Sequence, residues 1–112
     1  MSVDQSKIID IISKSKDGEI VLTISDHLDW KNLQEHLLLL QEKINTYLTF
    51  LESKEIYERY PEAKDRQIII EIMFHYTPHP GAYSFLSKVK SAVEDAGFGF
   101  RHALFAATPF KI

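Results

Sequence analysis

An α+β domain, a two-layer sandwich with a four-stranded mixed sheet and both helices on one face, is the fold class that three features of this sequence predict. Strand-like runs occupy residues 8–15, 19–25, 67–76 and 98–107, the clearest of them alternating between apolar and polar positions. Two other stretches carry apolar residues at steps of three and four, the spacing that lines one stripe of a helix. Their order along the chain is ββαβαβ, and a strand-helix-strand unit closes most readily as a right-handed crossover between parallel strands.

The first two runs flank Lys16-Asp17-Gly18, and Asp-Gly favours a tight two-residue hairpin turn. With Asp17 and Gly18 as that turn, Ile11 faces Ile24, Ser13 faces Leu22 and Ser15 faces Ile20. Ile9, Ile11, Ile20, Leu22 and Ile24 then point at the helices, leaving Ile8, Asp10, Ile12, Lys14, Val21 and Thr23 on the other face. The first helix is marked by Leu33, Leu37, Leu40, Ile44, Tyr47, Leu48 and Leu51, with Asp29 or Asn32 as its cap and Glu35 completing a box with Asn32. A second stripe of Leu39, Thr46 and Phe50 lies well round that helix. Residues 53–66 are expected to fold back over it with Ile56, Tyr57 and Tyr60, after a further helical turn that Pro61 stops.

Residues 67–76 make the central strand, with Ile68, Ile70, Ile72 and Phe74 on one face and Ile69, Glu71, Met73 and His75 on the other. Pro78 to Gly81 breaks it. Phe85, Leu86, Val89, Ala92, Val93 and Ala96 form the second helix, which Gly97 terminates in the left-handed conformation. The last strand ends at Thr108-Pro109.

Composition narrows the function classes. The 112 residues form one domain over 1–112, with 1–7 a flexible lead-in, and 45% apolar content suffices for a core without staples. There is no cysteine, so disulfides and thiolate chemistry are excluded. The start lacks the apolar stretch of an export signal, and the longest apolar run, Leu37 to Leu40, is far short of the ~20 residues that cross a bilayer. A cytoplasmic protein with no membrane contact is expected. Net charge is −3 and the basic residues are scattered, which argues against nucleic acid.

Residues 21–30, 35–45, 60–64, 68–74 and 97–101, among them Asp26-His27-Leu28-Asp29-Trp30 and Gly97-Phe98-Gly99-Phe100-Arg101, carry a resemblance that covers nearly the whole chain. The sequence resembles a family of short uncharacterised bacterial proteins with no known activity. The resemblance implies a bacterial single-domain protein and transfers no functional residue. Members of that family often carry glycine where this chain has Lys54.

Five histidines invite a metal reading through His75 and His79, or through Asp26, His27, Asp29 and His36. The first pair falls on a strand end and a proline-broken loop instead of one helical turn, and the second group reads as strand exit and helix capping. Asp10, Glu71, His75 and Arg101 share a sheet face by alternation, where acid-base work needs a cleft and an ion pair such as Glu71 with Arg101 does not. The four glycines have turn or cap roles, and no serine sits in a strand-turn-helix elbow. No cofactor is implied. The leading expectation is a non-catalytic interaction module, forming a homodimer or binding a protein partner. Its candidate surfaces are the open sheet face (Ile8, Ile12, Val21, Ile69, Met73) and the second stripe with its cover (Leu39, Phe50, Ile56, Tyr57, Tyr60). The alternative is a ligand- or metal-binding protein or enzyme using Glu71, His75 and Arg101.

Overall fold

The structure, a computed structural model, describes residues 11–105. Its elements are β1 (Ile11–Lys14), β2 (Ile20–Asp26), α1 (Leu33–Glu52), α2 (Glu55–Arg59), β3 (Ile68–Phe74), α3 (Tyr83–Asp95) and β4 (Gly99–Leu104). Short 3-10 turns at Pro61–Ala63 and Pro80–Ala82 lead into β3 and α3. The strands pair in the order β1-β2-β3-β4, the first pair antiparallel and the other two parallel. The α+β class and the ββαβαβ order are as expected, and α2 is the further helical turn expected before Pro61 inside the β2 to β3 crossover. Expectations placed on residues 1–7, on Ile8, Ile9 and Asp10, and on the strand end at Thr108-Pro109 lie outside the described residues.

The hairpin departs from its expected register by one residue. Ile11 pairs with Thr23, Ile12 with Leu22 and Lys14 with Ile20. A two-residue turn of the expected type needs positive φ at both Asp17 and Gly18, and only Gly18 has it, at +85°. The loop is therefore three residues long. Gly18 N–H donates to Ser15 O at 3.0 Å, and Ser15 N–H donates to Glu19 O at 2.8 Å. Because side chains alternate faces, one residue of slip turns β1 over. Ile12 goes to the helix side, where it packs partly buried against the core, and Ile11 faces out at 47% exposure.

β2 and β3 run in step, with Ile20 beside Ile68, Leu22 beside Ile70, Ile24 beside Ile72 and Asp26 beside Phe74. The apolar side chains among these form one core with Leu40, Ile44, Tyr47 and Leu51 of α1 and Leu86 and Val93 of α3. Both helices thus cover the same face, as two successive crossovers of one hand require. Asn32 caps α1 by accepting from Glu35 N–H at 3.1 Å, so the cap is Asn32 and not Asp29. At the far end of α3 Gly97, at φ +97°, closes a paired cap. Phe98 N–H donates to Val93 O and Gly97 N–H to Glu94 O.

Residues 53–66 do fold back over the second stripe of α1. Phe50 and Ile56 are buried in the core, while Leu39, Tyr57 and Tyr60 pack partly buried against it. The chain enters α2 through Lys54, whose φ of +67° and ψ of +13° are left-handed. Cβ crowding against the following carbonyl makes that region cost a non-glycine residue roughly 1–2 kcal/mol. Glycine, which lacks the Cβ, would adopt the same backbone without that cost. Replacing Lys54 by Gly should therefore raise stability by about 1 kcal/mol, since the side chain is exposed, and urea denaturation at constant m-value measures it.

Candidate functional site

Four regions hold the residues that could do chemistry or recognition. The first is the sheet face away from the helices, where Glu71 pairs directly with Arg101 in the ladder. Arg101 Nε–H donates to Glu71 Oε2 at 2.8 Å, and its guanidinium also lies 3.8 Å from Glu19 Oε1. With the Arg101 side chain 46% exposed, this is a solvated cross-strand pair, worth at most about 1 kcal/mol. His75 does not join it. Four residues further along, it is displaced by roughly 13 Å at strand rise, with its ring 3.4 Å from Ser25 Oγ and stacked on Phe105 at 5.1 Å. Of the expected polar group, Glu71 and Arg101 meet, His75 stands apart, and Asp10 lies outside the described residues. The apolar members of this face are largely closed. Val21 is 4% and Ile69 7% exposed, Met73 is half-buried, and Ile12 is on the opposite side. Ile69 leans over its ladder neighbour Gly99, where an added Cβ would stand 3.1 Å from Ile69 Cγ1.

The second region is the exit of β2. Asp26 and His36 are both fully or nearly fully buried and meet at 2.5 Å, Asp26 Oδ2 to His36 Nε2. His36 Nδ1 lies 3.0 Å from Asp29 O, and Asp26 Oδ1 accepts from Leu28 N–H at 3.1 Å. Trp30 stacks on the imidazole at 3.7 Å and touches Phe74. Both ring nitrogens of His36 are therefore spent inside the protein, and neither is left for a substrate proton. The arrangement ties the first turns of α1 to the carboxyl end of β2. Asp29 turns its carboxylate to Lys31 N–H, and His27 is exposed.

The third region is the loop after β3. His79 Nδ1 accepts from Gly81 N–H at 2.9 Å and caps the short turn that leads into α3. Among the described residues, no three or more His, Asp or Glu side chains gather as a metal site.

The fourth region is a groove of about 410 Å³ between α3 and β4. One face of the helix, Tyr83, Leu86, Ser87 and Lys90, runs along consecutive β4 residues Phe100, Arg101 and His102. Leu86 and Phe100 form its buried floor. Four large apolar side chains near the carboxyl ends of the strands are about half exposed: Tyr76 53%, Leu104 52%, Tyr83 49% and Phe105 45%, with Leu104 beside Phe74 on the helix side and Phe105 stacked on His75 on the other. Leu104 and Phe105 lie at the carboxyl end of β4, Tyr76 just after β3, and Tyr83 at the start of α3. Among the described residues β4 is paired along one edge only.

A model of a family of unknown function, DUF6572, matches residues 1–106 of the chain. The chain belongs to that family. Comparison with curated proteins and with solved structures found no match to either. Membership in DUF6572 brings no activity with it, so the geometry alone carries the functional argument. No helix among the described residues is long and apolar enough to cross a membrane.

Two features of this DUF6572 chain escaped the sequence reading. The Asp26–His36 hydrogen bond spans ten residues across a strand exit, where the sequence grouped the two with His27 and Asp29 only as a metal candidate weighed against strand exit and helix capping. The groove beside Phe100, Arg101 and His102 depends on how α3 sits against β4, which no residue pattern announces. The pair is open to test by substitution. Asp26→Ala strands a buried imidazole and should cost about 3 kcal/mol. Asp26→Asn keeps an acceptor for Leu28 N–H and offers an amide donor to His36 Nε2, so its cost should stay below about 1.5 kcal/mol. Chemical denaturation of both variants checks the difference, and equal losses would show that the pair does not carry the tie.

Proposed function

We propose that the protein is a small non-catalytic docking module that binds a protein partner, in the manner of an immunity-type or regulatory protein. The observation carrying this reading is the apolar corner at the ends of β3 and β4. Large apolar groups held about half exposed around the end of a strand that is paired along one edge only among the described residues favour a covering partner. Tyr76, Tyr83, Leu104 and Phe105 combine apolar bulk with two hydroxyls, the composition of an interface core rimmed by water.

The catalytic alternative finds less support. Glu71 and Arg101 neutralise each other on an open face, and His75 lies beyond their reach. Self-association is the second reading, favoured by the free edge of β4. It differs in prediction because it needs no other chain.

Sedimentation of the purified protein, alone and mixed with the product of each adjoining gene, separates these readings. The docking reading expects a monomer that forms a defined complex. Leu104→Glu and Phe105→Glu should each weaken that complex at least tenfold, about 1.4 kcal/mol, with unchanged melting. Association through Met73, shown by loss in Met73→Glu alone, would move the interface to the open sheet face. A monomer that binds none of them would overturn the reading.

A further inference from the structure

The groove and the open edge of β4 lie together, and their chemistry restricts what can fill them. β4 bonds to β3 through alternate residues, and Phe105 N–H donates to Phe74 O. In a parallel ladder the same alternation turns the backbone groups of Phe100, His102 and Leu104 away from β3, toward the unpaired side. An incoming extended segment would find these groups along one side. Its alternate side chains would face α3, because successive residues of a strand point to opposite faces. The helix presents Tyr83, then Leu86 and Ser87, then Lys90, spread over roughly 10 Å at helical rise. Two to three helix-facing side chains of a strand cover that length.

Charge then selects among peptides. Lys90 and His102 line the groove, together with Arg101, and no carboxylate does among the described residues, although the chain as a whole carries a net charge of −3. The guanidinium of Arg101 is held by Glu71 and Glu19 on the other face, which leaves Lys90 and His102 as the nitrogen-bearing groups facing the groove. Tyr83 and Leu86, toward the amino end of α3, offer an apolar seat.

We propose that this groove receives an extended, acid-bearing segment of a protein partner as a fifth strand on β4. Apolar side chains of the segment meet Tyr83 and Leu86, and a Glu or Asp meets Lys90. The inference rests on the docking reading above and adds the mode of recognition: backbone pairing for affinity, alternate side chains for selection.

A displayed library of random seven-residue peptides, selected on the folded protein, tests it. Enriched peptides are expected to alternate β-branched or aromatic residues with positions that include Glu or Asp, and to shift backbone amide resonances of Phe100, His102 and Leu104. Lys90→Glu should lower the affinity of those peptides at least tenfold and, in a fresh selection, enrich Lys or Arg instead. His102→Pro removes an N–H that β3 does not use, which an edge strand tolerates. It should abolish peptide binding while the circular dichroism melt is retained. Enriched peptides without acids, affinity indifferent to Lys90→Glu, or resonance shifts confined to the open sheet face would overturn strand addition while leaving the docking reading intact. No enrichment over an unrelated protein, together with no complex in the sedimentation experiment, would overturn both.

Discussion

The parallel pairing of β3 with both of its neighbours is the constraint on which the rest of this structure hangs. β3 is bonded along both edges and directs Ile68, Ile70, Ile72 and Phe74 at the helices. Parallel neighbours demand crossovers, and crossovers of one hand put α1 and α3 on one side. The consequence is a sheet with one covered face and one open face, ending in a strand, β4, that no later element flanks among the described residues. A core this one-sided leaves two places for function, the open face and the free edge, and the side chains distinguish them. Ion pairing and close packing occupy the first, where Glu71, Arg101 and Glu19 bridge β4, β3 and the hairpin turn. At the second, among the described residues, the outer backbone groups of β4 have no strand beside them and Leu104 and Phe105 stay about half exposed.

Most of this architecture was legible because its signals are periodic. The α1 stripe from Leu33 to Leu51 and the β3 alternation from Ile68 to Phe74 each repeat their message several times, so one misleading residue changes little. The hairpin register was not legible, because it depends on one dihedral. Asp17-Gly18 suits a two-residue turn, yet the chain places positive φ at Gly18 alone and closes a three-residue loop. That single choice exchanged Ile11 and Ile12 between faces and removed Ile12 from the open surface. β1 resists it poorly, since isoleucine stands on both sides of the strand and neither register is penalised strongly. Val21 and Ile69 likewise could be assigned to the outer face by alternation, but their burial depends on neighbours such as Gly99 across the ladder.

Candidate sites were less legible than the fold for a related reason. Alternation puts Glu71, His75 and Arg101 on one face without saying how far apart they stand; ladder pairing joins Glu71 to Arg101, and strand rise separates His75 from both. The reverse holds for Asp26 and His36. They belong to different elements, and only the tight strand exit through Asp29 and Trp30 brings them together. That pair illustrates why a buried carboxylate beside an imidazole is poor grounds for catalysis. A general base needs one ring nitrogen free for the substrate, and His36 has given one to Asp26 and the other to Asp29 O.

The distribution of stability and exposure therefore follows a division of labour along the strands. At the amino ends of the parallel strands, Ile20 and Ile68 are buried beneath helix and crossover. At the carboxyl ends the cover thins: Asp26 needs His36 and Trp30 to seal it, Phe74 is sealed by Trp30, and β4, with no further element beside it, is sealed by nothing described. An enzyme built on this plan would gather polar side chains at those carboxyl ends, where parallel sheets usually open a crevice. Here the polar groups at that end are engaged with one another, Asp26 with His36 and His75 with Ser25, while Tyr76, Tyr83, Leu104 and Phe105 stand about half exposed around them.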